Sequence, residues 1–343
     1  MTSRGFIFGK FLPPHRGHVF LCDTALAMAD ELIIMVCSTD GEEIAGDLRA
    51  AWMRKLAPGA IIDHFHNDLP QTPDDHPQYW SIWADAIKTR HGASFDYAFA
   101  GDTYLFDLAR AIGASPVLID PKREIFPISA TKLRADPVAA WAMVPAPVRA
   151  YYQKRICLLG PESVGKTRLA SDLGAHFNTG VMPEYGRDYD VYYMQSTHEK
   201  GADWKGENLV ALAKTHRAMR AAMRGDAGAL LIEDTDAVQT AIWARFLIGV
   251  VPRVLAEIEA ACVADHYLLL APDVGWNDDG VRYAGDEKTR AFFFEEAVRR
   301  LDTLGASYDV ISGGDWRNRR RRAISVIEDK FANQVGGRGQ SSR

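Results

Sequence analysis

The chain has 343 residues, 47% of them hydrophobic and 25% charged, with a formal net charge of −5. That length suits two globular domains, and the charge excludes a general attraction to nucleic acid or to an anionic membrane surface. The four scattered cysteines (Cys22, Cys37, Cys157 and Cys262) form no CxxC pair or Cys/His cluster, which excludes a disulfide framework or a zinc site, and no apolar run reaches membrane-spanning length.

Met1-Thr2-Ser3-Arg4 leads straight into a strand pattern and not into a signal peptide, so a cytoplasmic location is expected. Residues 5–8 read as a buried strand, 19–29 as a helix and 31–37 as a second strand rich in Ile and Val. Strand, loop, helix, strand is a βαβ unit and implies a parallel sheet. The loop carries Gly9-Lys10-Phe11-Leu12-Pro13-Pro14-His15-Arg16-Gly17-His18. Two histidines around a glycine at a helix start make an anion site whose imidazolium N–H groups can follow charge building on a phosphate.

Residues 67–79 form a polar, Pro-rich loop, and Trp80 and Trp83 follow on a helix, where core packing and stacking on a flat heterocycle both remain open. Strands are expected at 97–100, ending in Gly101-Asp102, and at 117–120, followed by Pro121-Lys122-Arg123. Lys122 and Arg123 either reach a triphosphate or are solvated, and the sequence does not separate these. Ile128-Ser129-Ala130-Thr131-Lys132-Leu133-Arg134 places hydroxyls at a helix start and a guanidinium one turn in. That pattern can bind phosphate or simply cap a helix. Residues 135–153, with three prolines, read as a helical connector.

Residues 156–159 are an apolar strand, followed by Gly160-Pro161-Glu162-Ser163-Val164-Gly165-Lys166-Thr167 and a helix from Arg168. This satisfies G-x-x-x-x-G-K-[ST] in strand–helix context, the P-loop that cradles phosphates on backbone N–H groups. Lys166 would bridge the β- and γ-phosphates, and Thr167 would ligate Mg²⁺. Glu184-Tyr185-Gly186-Arg187-Asp188 can hold an acceptor hydroxyl, with Glu184 or Asp188 as base. Residues 206–224 are a structural amphipathic helix, and 229–234 are an apolar strand ending in Asp234, placed to hold Mg²⁺, with Asp236 facing the acceptor. Residues 276–282 have the make-up of a lid, from which Arg282, with Arg290, would supply charge over the transferred phosphoryl group. Residues 310–314 form the last strand and its exit loop, placed beside adenine. Arg319 to Arg322 read as a solvated or phosphate-adjacent helix start, and the Gly/Ser/Arg-rich tail as disordered.

Two resemblances follow. The string Gly9 to His18, the region of Trp80, Asp120-Pro121-Lys122-Arg123 and Ile128 to Arg134 together resemble the nicotinamide mononucleotide (NMN) adenylyltransferases of the nucleotidylyltransferase superfamily. The P-loop, Pro183 to Tyr189, Asp234-Thr235-Asp236 and Trp276-x-x-Asp279-Gly280-x-Arg282 resemble the ribosylnicotinamide kinase domain of the bacterial NadR family, and the joint resemblance runs from about Gly5 to Phe331. They imply an α/β chain of two domains with parallel sheets, a Rossmann-like nucleotidylyltransferase fold over 1–148 and a P-loop kinase fold over 149–332, before a disordered tail over 333–343.

The implied activity is NAD salvage: nicotinamide riboside is phosphorylated to NMN, which is then adenylylated to NAD. In the first domain the resemblance assigns Gly9, Lys10, Phe11, His15, His18, Arg123, Ser129, Thr131 and Arg134 to ATP, and Lys10, Trp80, Gly101 and Asp102 to NMN. In the second it assigns Gly160, Glu162, Ser163, Val164, Gly165, Lys166, Thr167 and Arg282 to ATP, and Glu184, Tyr185, Arg187, Asp188 and Asp236 to the riboside. The catalytic residues would be His15, His18, Lys166, Glu184 and Asp188, with Mg²⁺ on Thr167 and Asp234. Partners would be ATP, nicotinamide riboside, NMN and NAD, without nucleic acid or membrane, in a chain that can form a homo-oligomer. Some NadR proteins begin with a helix-turn-helix domain; here the first strand starts within a few residues of Met1, so repression is not expected. The alternatives are an adenylyltransferase–kinase fusion for coenzyme A or a flavin, and a nucleotide-sensing regulator with one active domain.

Overall fold

The computed structural model describes residues 2–92, 94–194, 204–275 and 286–335. The chain divides into two compact units, Met1–Arg149 and Ala150–Arg343. Both are α/β with all-parallel sheets. Among the described residues no helix is long and apolar enough to cross a membrane.

The first unit has five strands, β1 (Arg4–Gly9), β2 (Glu31–Ser38), β3 (Ile61–His66), β4 (Tyr97–Ala100) and β5 (Ser115–Leu118), in the order β3-β2-β1-β4-β5. Side chains alternate across a strand, so adjacent apolar residues serve opposite faces. Phe6, Ile33 and Met35 pack with Trp83, Ile87, Leu105 and Leu108 on one face. Ile7, Ile34 and Val36 pack with Leu21, Cys22, Ala25 and Met53 on the other. The β5 strand starts two residues earlier than its composition suggests, because Pro116 is tolerated on a sheet edge. The other edge strand, β3, has the mixed sequence Ile-Ile-Asp-His-Phe-His, in which polar residues obscure the alternation.

The second unit has β6 (Lys154–Leu159), β7 (Val181–Met182), β8 (Leu230–Asp234), β9 (His266–Leu270) and β10 (Tyr308–Ile311), in the order β10-β9-β6-β8-β7. In each sheet the first strand of the unit is central, and the chain goes to one side and then to the other. Ligands bind at the carboxyl end of the strands where that reversal occurs, and both phosphate loops, after β1 and after β6, lie there. All four cysteines are free and buried, acting as small apolar residues.

Buried charge also shapes the second unit. Arg155 donates to Glu233 at 2.5 and 3.0 Å, and Arg220 lies 3.5 Å from the same carboxylate, which is fully buried. Glu233→Ala leaves two buried guanidinium groups without their counter-ion and is expected to cost about 3–5 kcal/mol. Chemical denaturation measures this; an unchanged midpoint for the second unit's transition would show that the pair contributes nothing.

Candidate functional site

In the first unit the loop after β1 ends at His15, an extended residue (φ −140°) whose carbonyl accepts from His18 N at 2.8 Å and starts the helix Arg16–Met28. The two imidazoles stack at 3.8 Å, and Phe11, at φ 46°, packs on His18. A bulky residue at positive φ is a strained backbone position, and such positions gather at functional sites. The His15 backbone N–H donates to His18 Nδ1 at 3.2 Å, so neutral His18 carries its proton on Nε2.

Burial bears on the charge of this pair. His15 is lowered to about 4, by burial first and then by the charge of Arg123. His18 is lowered well below its ordinary value by burial, then by His15 and Arg123. Both rings are therefore neutral at pH 7, and positive charge arises on them only against an anion. The sign for stability follows from the lowered value. Between pH 6.5 and 4 the unfolded chain binds a proton that folded His15 refuses, so stability falls as pH falls through that window. From about pH 7 to about pH 5 the loss from His15 is expected to be about 2 kcal/mol. His15→Gln should flatten the pH dependence of unfolding; an equally steep profile would mean His15 titrates normally.

The remaining predicted residues gather around this loop to different degrees. Arg134 donates to the Leu12 carbonyl, which ties the second motif to the first. Ser129 caps its helix, its Oγ accepting from Lys132 N at 3.2 Å, and Thr131 is exposed on the first turn. Arg123 is exposed but acts on both histidines, which separates it from Lys122. Lys10 pairs with Glu42 at 3.0 Å. Gly9 ends β1. Gly101 follows β4 with little room over the Ile119 carbonyl, and Asp102 accepts from Thr103 N. Trp80 is half-buried and lies nearly parallel to Tyr104 at 6.3 Å, whereas Trp83 is core, its indole N–H donating to the Pro70 carbonyl. Sequence reading missed Arg49, which is fully buried and donates to the Lys10 carbonyl, to Glu42 and, at 3.1 Å, to the Cys37 carbonyl.

In the second unit Gly160 (φ 140°), Ser163 (φ 60°) and Gly165 (φ 87°) turn the P-loop. A Cβ on Gly165 would stand 2.7 Å from the Trp316 ring, so only glycine fits. Lys166 is buried and donates to the carbonyls of Gly160 and Pro161 at 3.0 and 2.8 Å. Val164 is buried, and Glu162, Ser163, Gly165, Lys166 and Thr167 border a cavity of about 280 Å³. Its lining also includes Tyr185, Trp204, Leu209, Leu212, Trp243 and Leu247.

Asp234 lines an adjoining cleft that shares Thr167 with this cavity. It is buried, and neither carboxylate oxygen has a hydrogen-bond partner among the described residues. Burial raises its pKa, opposed by Lys166 and by the Thr167 hydroxyl beside it. Two orphaned acidic oxygens next to a hydroxyl are a donor set that fits Mg²⁺. Burial likewise raises Glu184, opposed by Lys166 and reinforced by the charge of Asp234.

Glu184, Tyr185 and Arg187 border the cavity, but Asp188 is exposed and does not; Asp190, buried, takes its place. Asp236 reaches the wall, yet its carboxylate is engaged within the unit: Oδ1 accepts from Val238 N at 2.9 Å and Oδ2 from the Tyr267 hydroxyl at 2.8 Å. Burial and then Glu233 push it up to about 6. Arg290 is buried and donates to the Val274 carbonyl, away from the cavity. Arg282 and the rest of the expected lid lie outside the described residues, as do residues 336–343 of the expected tail.

Of the basic run, Arg321 and Arg322 are exposed, whereas Arg319 is not solvated. It is fully buried and donates to the carbonyls of Val164 at 3.0 Å and Ala271 at 2.7 Å, and to Asp273. Gln239, whose Oε1 faces Gly160 N at 3.5 Å, and His216 on the cavity wall are further residues that sequence reading missed.

Comparison with known proteins adds to this geometry. A family model described as an AAA domain matches residues 155–319. The trifunctional NAD biosynthesis/regulator protein NadR of Salmonella typhimurium is 25% identical over 350 residues, covering 96% of this chain and 84% of the relative. A nicotinamide-nucleotide adenylyltransferase of Thermococcus onnurineus is 24% identical over 139 residues, covering 39% of this chain and 72% of the relative. A crystal structure of NadR protein in complex with NR superposes with a TM-score of 0.74 at 20% identity, covering 100% of this chain and 98% of that one. The chain is thus similar to NadR in sequence along nearly all its length, and it has the NadR fold.

Proposed function

We propose that the chain makes NAD from nicotinamide riboside in two ATP-dependent steps, the second unit acting first. What carries the reading is that one chain, NadR-like over 96% of its length, keeps a built phosphate loop at the carboxyl end of each sheet. The boundaries proposed are residues 1–148 for adenylyl transfer and 149–332 for phosphorylation.

In the phosphorylation step the 5′-hydroxyl of the riboside attacks the γ-phosphorus of ATP and ADP leaves. Glu184, held at a raised pKa on the cavity wall, accepts the hydroxyl proton. Lys166 leaves its loop carbonyls for the phosphates. Mg²⁺, when bound on Asp234 and Thr167, neutralises phosphate charge. The aromatic residues of the cavity lining suit a flat base. In the adenylylation step a phosphate oxygen of NMN attacks the α-phosphorus of a second ATP and pyrophosphate leaves. The His18 Nε2–H donates to the charge that develops, and Arg123 adds field. Positioning and charge do the work in both steps, without a covalent intermediate.

Incubating the chain with Mg²⁺-ATP and nicotinamide riboside should give NMN and ADP, then NAD and pyrophosphate, followed by chromatography. Turnover of pantetheine phosphate or a flavin in place of the riboside would overturn the substrate assignment. Absence of one half-reaction would favour a regulator with a single active unit.

A further inference from the structure

The helix Trp316–Lys330 brings two side chains, three residues apart and so on one face, to a single peptide of the second unit's phosphate loop. Arg319, fully buried, donates to the Val164 carbonyl at 3.0 Å and is itself fixed by the Ala271 carbonyl at 2.7 Å and by Asp273. The Trp316 ring lies against Gly165, where a Cβ would stand 2.7 Å from it. That ring is held in turn from the helix Lys166–Phe177. The Arg168 guanidinium lies 4.3 Å from its centroid, and Asp172 accepts from its indole N–H at 3.1 Å. The peptide between Val164 and Gly165 is trans and planar, so its carbonyl and its N–H point in opposite directions. Tying the carbonyl to Arg319 therefore turns the Gly165 N–H away from Arg319, at a residue that borders the cavity. If this peptide flipped, it would offer an anion a carbonyl oxygen in place of an N–H. A glycine, having no Cβ, is where such a flip is easiest.

We propose that Arg319 and Trp316 are positioning residues of the phosphoryl-donor site: together they clamp the Val164–Gly165 peptide so that the Gly165 N–H meets a phosphate of ATP. The kinetic side of this rests on the phosphorylation reading given above. Neither side chain is among those that line the cavity, so both act through the peptide.

The test uses the full chain with Mg²⁺-ATP and nicotinamide riboside. Arg319→Lys keeps the charge but cannot bond Val164, Ala271 and Asp273 at once. It should raise KM for ATP by about 10- to 30-fold, with kcat and KM for the riboside within about threefold. Trp316→Ala should raise KM for ATP by about 3- to 10-fold, and Trp316→Phe, which keeps a ring on Gly165, should restore most of the difference. In ¹⁵N-labelled protein the Gly165 amide resonance should move when Mg²⁺-AMP-PNP is added to the wild type, and should move much less in Arg319→Lys. A merely structural role would lower the unfolding midpoint and kcat but leave KM for ATP and the Gly165 response unchanged, and that result would overturn the clamp. A wild-type Gly165 resonance that ignores the nucleotide would overturn it as well. If Arg319→Lys does not fold, Trp316→Ala decides by the same two readouts. If the wild type phosphorylates no riboside, the phosphorylation reading falls, while the Gly165 response of the variants to the nucleotide alone still tests the clamp.

Discussion

Lys166→Ala is expected to lower phosphorylation of nicotinamide riboside by about 10³-fold in kcat/KM, with adenylylation of NMN unchanged within about twofold. The size follows from what surrounds the ammonium group. It is buried, and its charge is the first influence opposing the raised pKa of both Glu184 and Asp234. Its removal therefore deletes a phosphate contact and takes away the charge that opposes burial at both carboxyls. Lys166→Arg should not rescue, because a planar fork does not fit where a point charge meets the Gly160 and Pro161 carbonyls. Coupled and separate assays of the two half-reactions check this. An unimpaired phosphorylation rate, or equal loss of both activities, would contradict a phosphate site built around Lys166 in the second unit.

The second large effect is expected at His18. His18→Ala should lower adenylyl transfer by about 10²- to 10³-fold and leave phosphorylation within about twofold. His18 has its tautomer set by the His15 backbone N–H, so Nε2–H is a donor before any charge appears. Burial, His15 and Arg123 keep the ring neutral at rest, and developing negative charge on a phosphate reverses that balance. Arg123→Ala relieves one of those influences. It should raise the pH at which the histidines titrate while weakening phosphate binding. A His18→Ala variant with full NAD synthesis from NMN would remove the histidine pair from the mechanism.

Much of this was legible because it is local. The strand–loop–helix context of Gly160 to Thr167 and of Gly9 to His18 sits within about twenty residues, where hydrophobic period and glycine placement can be read directly. What failed to show was everything set by burial across long separations. Arg319 belongs to a basic run that reads as solvated, yet it bonds to Val164, 155 positions away. Arg49 bonds to Lys10 across 39 positions. Which of Glu184 and Asp188 borders the cavity also needed three dimensions, because Glu184 precedes the short helix that carries Asp188. The resting charge of the histidines is of the same kind: the motif gives the residues, and the packing around them bears on their protonation.

Each phosphate loop is thus fastened by a distant, fully buried arginine that binds main-chain carbonyls, Arg49 to that of Lys10 and Arg319 to that of Val164. A peptide carbonyl is the same whatever side chain it bears. Loop side chains at positions with ordinary backbone angles can therefore change without loosening this tie, whereas Gly160 and Gly165 cannot. Losing that remote arginine would undo the tie even where every residue of the loop is kept.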